Sequence, residues 1–191
     1  FNFRINKKIA KKISTTFFEI ILAKGIDREA LKIFGTKKNL ILIDISNFKN
    51  KTKQQLKYFD NSFLVQDKNQ KVTEKKKLKF VTKLKPSKKE LKYAEFAFNI
   101  CKFVKSNSIV ISNNFSTIGI GAGQPSRLDS CKIAVQKAKK FQPKKIKNSV
   151  AASDAFFPFP DGVNKLIRAG IKLIIQPGGS IRDKESILAA N

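Results

Sequence analysis

The sequence predicts an α/β chain in which helices pack on both faces of a mixed sheet. Two observations carry this. Apolar runs rich in Ile, Val and Phe alternate with segments of helical period, the pattern of sheets covered by helices. From Pro86 onward the order reads helix, strand, strand, helix, strand, helix, and the tight turn between the adjacent strands makes that sheet mixed. With 41% hydrophobic residues and 17 Phe among 191 residues, there is enough apolar material for a core.

Phe17–Ala23 is β-branched and aromatic and reads as a strand. Asp27 suits the cap of a short helix through Phe34, with Gly35 as its stop. Leu40–Ile45 is a second buried strand, giving a β-α-β unit and a parallel pair. Lys49–Asp60 reads as a polar, Lys-rich connector. Ser62–Gln66 and Leu78–Lys83 read as strands about a polar turn. Ser87 and Glu90 have capping-box spacing at the head of a long helix, whose Leu91, Ala94, Phe98 and Cys101 recur on one face. Asn107–Ser112 and Thr117–Ala122 read as strands joined at Asn113-Asn114. Ser126 and Asp129 open the next helix, with Leu128, Cys131, Val135 and Ala138 on its inner face, so both Cys residues read as core. Phe141–Asn148 is a basic loop. Val150–Ala152 leads into the aromatic segment Ser153–Asp161. A helix over 161–169 stops at Gly170, Ile171–Ile175 is a strand, and Ser180 suits the cap of a last helix. The domain reading is 1–84, a partial α/β segment, and 85–191, an α/β/α unit.

The formal net charge is +26, from 40 Lys+Arg against 14 Asp+Glu. Read functionally, that charge neutralises phosphates and points to a Lys-rich nucleic-acid-binding module. Read structurally, it is a solvated surface enriched in Lys. Only five of the cations are Arg, the residue suited to bidentate base contacts. Lys gathers in 49–92 and 132–147, whereas 106–126 carries no charge, so the structural reading is favoured and nucleic acid is not expected. With no His and two Cys, neither a Ser-His-Asp triad nor a four-ligand zinc site can be assembled from these residues. The Cys usage fits a reducing, cytoplasmic setting. No run of about 20 apolar residues suggests a membrane span, and the basic start lacks a cleavage signal. There is no Met, and both ends read as cut, so a fragment of a longer chain is expected.

Gly119-Ile-Gly-Ala-Gly123 lacks the third Gly of a dinucleotide fingerprint, since position 124 is Gln. It suits close backbone packing or a platform beside a ligand. Ser153-Asp-Ala-Phe-Phe-Pro-Phe-Pro-Asp161 is a stiff aromatic loop, suited either to plugging the core or to holding a flat heteroaromatic ligand. Gln176-Pro-Gly-Gly-Ser180 is a tight turn before a helix.

These motifs, with Lys105-Ser-Asn-Ser-Ile-Val110 and Arg127, occur in an order that resembles the AICAR transformylase domain of the bifunctional AICAR formyltransferase/IMP cyclohydrolase family, from about Ile13 onward. The resemblance implies cytidine-deaminase-like α/β/α architecture without zinc, and formyl transfer from 10-formyltetrahydrofolate to AICAR in purine biosynthesis by a homodimer. It implies that Asn107 is the catalytic amide at the transfer centre. It assigns Arg127, Phe156, Phe159 and Asp161 to substrate, and Leu128, Pro158 and Ser180 to folate. Ser106 and Asp154 would lie at a potassium site. The family's Lys-His pair, its cyclohydrolase domain and its C-terminal tail are absent here. Pro160 stands where the family usually has Arg, and Pro125 where it has Gln or Met. The resemblance therefore implies half an active site, inactive by itself.

Overall fold

The computed structural model describes residues 1–49, 52–69, 73 and 77–191, and it divides into two compact units, 1–68 and 69–191. The second unit thus begins ahead of the expected boundary at position 85. Among the described residues no helix is long and apolar enough to cross a membrane.

In the first unit, α1 (Lys7–Ile13) and α2 (Arg28–Phe34) pack on β1 (Ile20–Ala23) and β2 (Ile41–Asp44), which pair in parallel from Ile20↔Ile41 to Ala23↔Asp44. Ile21 and Ala23 face inward onto Ala10, Ala30 and Phe34. Ile20, Leu22, Ile41 and Ile43 lie on the other face and are exposed, an uncommon state for parallel strands, which are normally covered on both sides. Strand β1 is shorter than the apolar run beginning at Phe17, because Phe17 and Phe18 find no partner strand and stay exposed. Asp27 stands at the N-cap of α2 but caps nothing: its carboxylate takes the Arg4 Nε–H at 2.5 Å instead.

The supposed connector 49–60 contains a strand. β3 (Gln54–Phe59) and β4 (Ser62–Asp67) form an antiparallel hairpin about Asp60, which adopts φ +40°. Polar Gln54, Gln55 and Lys57 mask the two-residue period, but Leu56 pairs with Val65 and Tyr58 with Phe63, their rings 6.4 Å apart. Conversely, Leu78–Lys83 is no strand. Among the described residues its backbone has no strand partner, and Lys83 N donates to Asn191 Oδ1 at 2.8 Å.

The second unit is built on a four-stranded sheet in the order β6 (Ser116–Gly121), β5 (Ile109–Asn113), β7 (Val150–Ser153), β8 (Leu173–Ile175). β5 is antiparallel to β6 and β7, and β7 is parallel to β8, so the sheet is mixed as expected. Alternate residues serve opposite layers. Val110, Val150 and Ala152 pack on α3 (Lys88–Cys101), while Ile109, Ile111 and Ala151 pack on α4 (Arg127–Phe141) and α6 (Pro160–Arg168). Both thiols are core, and burial pushes Cys101 up to about 11 and Cys131 up to about 12, so neither is reactive at neutral pH. The basic loop after Phe141 holds a short helix, α5 (Pro143–Ile146), because Pro143 fits the first helical position and Ile146 is drawn into the core. The last helix, α7 (Asp183–Ala190), is capped at Arg182 rather than Ser180, whose Oγ instead accepts from Arg182 N at 3.1 Å.

The Gly119–Gly121 motif resolves as close packing. A Cβ on Gly119 would lie 2.2 Å from Ala134 O, and one on Gly121 1.9 Å from Ser130 O, both in the backbone of α4. Bare strand therefore lets α4 sit directly on β6. Ser87 and Glu90 form the expected reciprocal cap of α3, and Glu90 also takes Lys172 Nζ at 2.7 Å, tying α3 to the residue before β8.

Two outcomes follow. Gly121→Ala costs about 3 kcal/mol or more in urea unfolding because backbone must move, whereas Gly123→Ala, with nothing within 4 Å but φ +68°, costs about 1 kcal/mol. Lys172, then the Ser87 N–H and hydroxyl, hold Glu90 at about 2, below its ordinary value of about 4.3. Its contribution is therefore complete above about pH 4.5 and lost as pH falls toward 2. Glu90→Gln should flatten that part of the stability–pH curve.

Candidate functional site

The site grows from the end of the sheet where β5 begins and β7 ends. Ser126 Oγ caps α4 by accepting from Asp129 N at 3.4 Å, which starts the helix with Arg127 pointing back over the strand ends. The guanidinium is held on three sides. Its Nη1 donates to Ser153 Oγ at 2.8 Å and to Asp154 Oδ1 at 2.6 Å, and its Nη2 donates to Asn107 Oδ1 at 2.8 Å. The side chains of Arg127 and Asp154 are only 9% and 18% exposed, so the pair sits largely out of water, where charge-assisted bonds are strong.

Asn107 is fixed at both side-chain polar atoms and at its backbone oxygen. Because Arg127 can only donate, the Asn107 oxygen must face it, and Nδ2 donates to Gln124 O at 2.9 Å and Pro125 O at 3.2 Å. Its backbone oxygen accepts from Ser130 Oγ at 2.7 Å. Position 125 takes part through its carbonyl, which Pro supplies as well as any residue. Burial pushes the Asp154 pKa up, but Arg127, the Ser108 N–H and the Ser106 hydroxyl outweigh it and hold the carboxyl below its ordinary value.

The aromatic loop leaves from the same strand end. Ser153 Oγ accepts from Arg127 and donates to Ala155 O at 2.7 Å, which connects the guanidinium to the loop. Phe157 turns into the core against Gly162, while Phe156 and Phe159 stay 41% and 48% exposed. Phe157 thus plugs the core, as one reading of the loop expects, while Phe156 and Phe159 stay at the surface. Phe156, Pro158 and Phe159 form one wall of a groove of about 400 Å³, and Gly179, Ser180 and Arg182 form the other, with the Arg182 guanidinium 4.8 Å above the Phe159 ring. Pro160 occupies the first turn of α6, where no N–H is needed.

Of the expected site residues, the structure brings Asn107, Arg127 and Asp154 into one bonded cluster, with Ser106 reaching Asp154. It gathers Phe156, Pro158, Phe159 and Ser180 into the groove. Leu128 is half-buried beside Arg127 and does not line the groove. Asp161 also lies off the groove lining: it is exposed, and its Oδ1 accepts from Gly162 N at 2.6 Å. Sequence reasoning missed Ser153, Ser108 and Gln176, whose roles depend on distant partners. The adjacency of Ser153 to Asp154 at a strand end was the available signal.

Ser106 and Asp154 also line a second cavity of about 410 Å³ beside Cys101 and Val104. As a potassium site the pair fits poorly. The two are hard oxygen donors, but Asp154 Oδ1 already accepts two N–H groups and its charge is matched by Arg127. A cation there would face a guanidinium.

Arg127→Met leaves the Asp154 carboxylate half-buried without its partner and should lower stability by about 3 kcal/mol in urea. Arg127→Lys keeps the charge but not the fork, so it should fall between. In the parent chain, the Asp154 contribution is present above about pH 4 and is lost as pH falls through its lowered titration point. This loss should vanish from the Arg127→Met curve.

Known proteins give this geometry a context. The chain is 42% identical over 189 residues to the bifunctional purine biosynthesis protein PurH of Leptospira biflexa, which covers 98% of this chain and 37% of the relative. It is 44% identical to the PurH of Persephonella marina over 193 residues, 100% of this chain and 37% of the relative. It is 46% identical to that of Buchnera aphidicola subsp. Schizaphis graminum over 186 residues, 97% and 35%. The chain therefore spans little more than a third of the length of these curated relatives. The profile of the AICARFT/IMPCHase bienzyme matches residues 1–137, from the first unit through the Asn107–Arg127 cluster. With most of its length matched in this way, the chain belongs to the AICARFT/IMPCHase bienzyme family.

Proposed function

We propose that this chain is part of a folate-dependent formyltransferase of purine biosynthesis, and that its second unit is a cytidine-deaminase-like α/β/α subdomain. The observation that carries this reading is the Arg127 guanidinium, held by Asn107, Ser153 and Asp154 beside an aromatic groove. In the proposed reaction the 5-amino group of AICAR attacks the formyl carbon of 10-formyltetrahydrofolate. The bond from that carbon to N10 breaks, N10 takes a proton, and the amine loses one.

The geometry supports a role for each residue in this reading. Phe156, Pro158 and Phe159 supply flat apolar surface for a ring system. Arg127 fixes the Asn107 amide, whose longer Nδ2 contact, 3.2 Å to Pro125 O, is the one to exchange for the formyl oxygen as negative charge develops there. Asp161, on the exposed first turn of α6, is available to a polar edge of the folate. The reading takes the proton acceptor from elsewhere: His, the commonest general base, does not occur among the 191 residues. The reading therefore includes completion of the site by other polypeptide, in a homodimeric parent enzyme.

Titration of the 191-residue chain with AICAR and with folic acid tests this. Both should bind, and Phe156→Ala, at an exposed position, should weaken folate about tenfold with unchanged circular dichroism. The chain alone should release no tetrahydrofolate from the formyl donor. Failure of both ligands to bind would remove the reading, and turnover by the chain alone would remove its claim of a shared site.

A further inference from the structure

The two walls of the aromatic groove come from different loops. Strands β7 and β8 run parallel, with Ala152 opposite Ile175 as their last pair, so both loops leave the sheet at the same level, at the edge where α/β sheets hold ligands. The next residues are Ser153 on one strand and Gln176 on the other. Gln176 is half-buried, and its Oε1 accepts from the backbone N–H of Phe157 at 2.8 Å. This bond crosses from one loop to the other.

Its position on the aromatic loop gives it leverage. Phe157 is the buried middle of the loop, and the exposed rings of Phe156 and Phe159 flank it. Ser153 fixes the loop at its start through Ala155 O, and Gly162 accommodates the Phe157 ring, since a Cβ there would lie 2.9 Å from Phe157 Cδ1. Fixing the Phe157 N–H therefore sets the angle of Phe156 and Phe159 against the Gly179–Arg182 wall.

We propose that Gln176 is a positioning residue that sets the groove by pinning the aromatic loop to the β8–α7 loop. It acts through Phe157 rather than by touching the ligand. The proposal rests, for the identity of the ligand, on the folate reading given above. An acceptor at this position is what matters. Gln176→Glu keeps an oxygen in place and should hold the loop, with a stronger bond from the charge. Gln176→Leu has similar bulk and no acceptor, so it leaves a buried N–H unpaired.

Two measurements on the whole chain separate the outcomes. In Gln176→Leu, amide exchange at Phe157 should accelerate at least tenfold, and folic acid affinity, read from the pterin signal without Trp interference, should fall about tenfold. Gln176→Glu should restore both, which a merely bulky structural residue would not do. Unchanged Phe157 exchange in Gln176→Leu overturns the proposal, and so does faster exchange with unchanged folate affinity. If the unsubstituted chain does not bind folic acid while exchange responds as stated, the loop-pinning role is supported and the folate reading of the groove falls.

Discussion

The guanidinium of Arg127 is the point on which the second unit turns. It reaches Asn107, two residues ahead of β5, the last residue of β7 and the carboxylate that follows it. Two strand ends far apart in sequence meet on one planar cation carried by α4, and its fork geometry allows what a Lys could not. The arrangement requires α4 to lie close to the sheet, and that closeness comes from the missing side chains of Gly119 and Gly121. Two glycines thus determine how deep an arginine sits, and the arginine determines where Asn107 and the aromatic loop are held.

The hold is electrostatic, but its environment is made by packing. Ile109, Ile111 and Ala151 on one face, and Val110, Val150 and Ala152 on the other, exclude water from the strands that carry the cluster. In that setting a bonded pair is expensive to break, even where replacing it with apolar groups would cost little. The cluster is better understood as a device for fixing orientation than as a source of net stability.

Local chemistry made much of the fold legible. The reciprocal cap at Ser87 and Glu90, the cap at Ser126, the parallel β1–β2 pair and the helical spacing of both Cys residues are short-range patterns, and each appears as read. What failed depended on partners. Gln54–Phe59 looked polar because its apolar residues complete a face only when Ser62–Asp67 lies alongside. Leu78–Lys83 looked like a strand but has no partner edge among the described residues. At the site, the motifs named Asn107, Arg127 and the aromatic loop, but beyond the adjacency of Ser153 to Asp154 no local pattern announced that Ser153 would bridge guanidinium and loop, or that Gln176 would reach Phe157.

The uncovered face of β1 and β2 has a consequence for colloidal behaviour. Ile20, Leu22, Ile41 and Ile43 present an apolar strip to solvent, on a chain whose net charge is +26. At low ionic strength mutual repulsion keeps such strips apart. Salt shortens the range of that repulsion to about 8 Å at 0.15 M and leaves apolar attraction intact. The surplus of Lys thereby acts as a solubilising coat whose protection fades as salt rises.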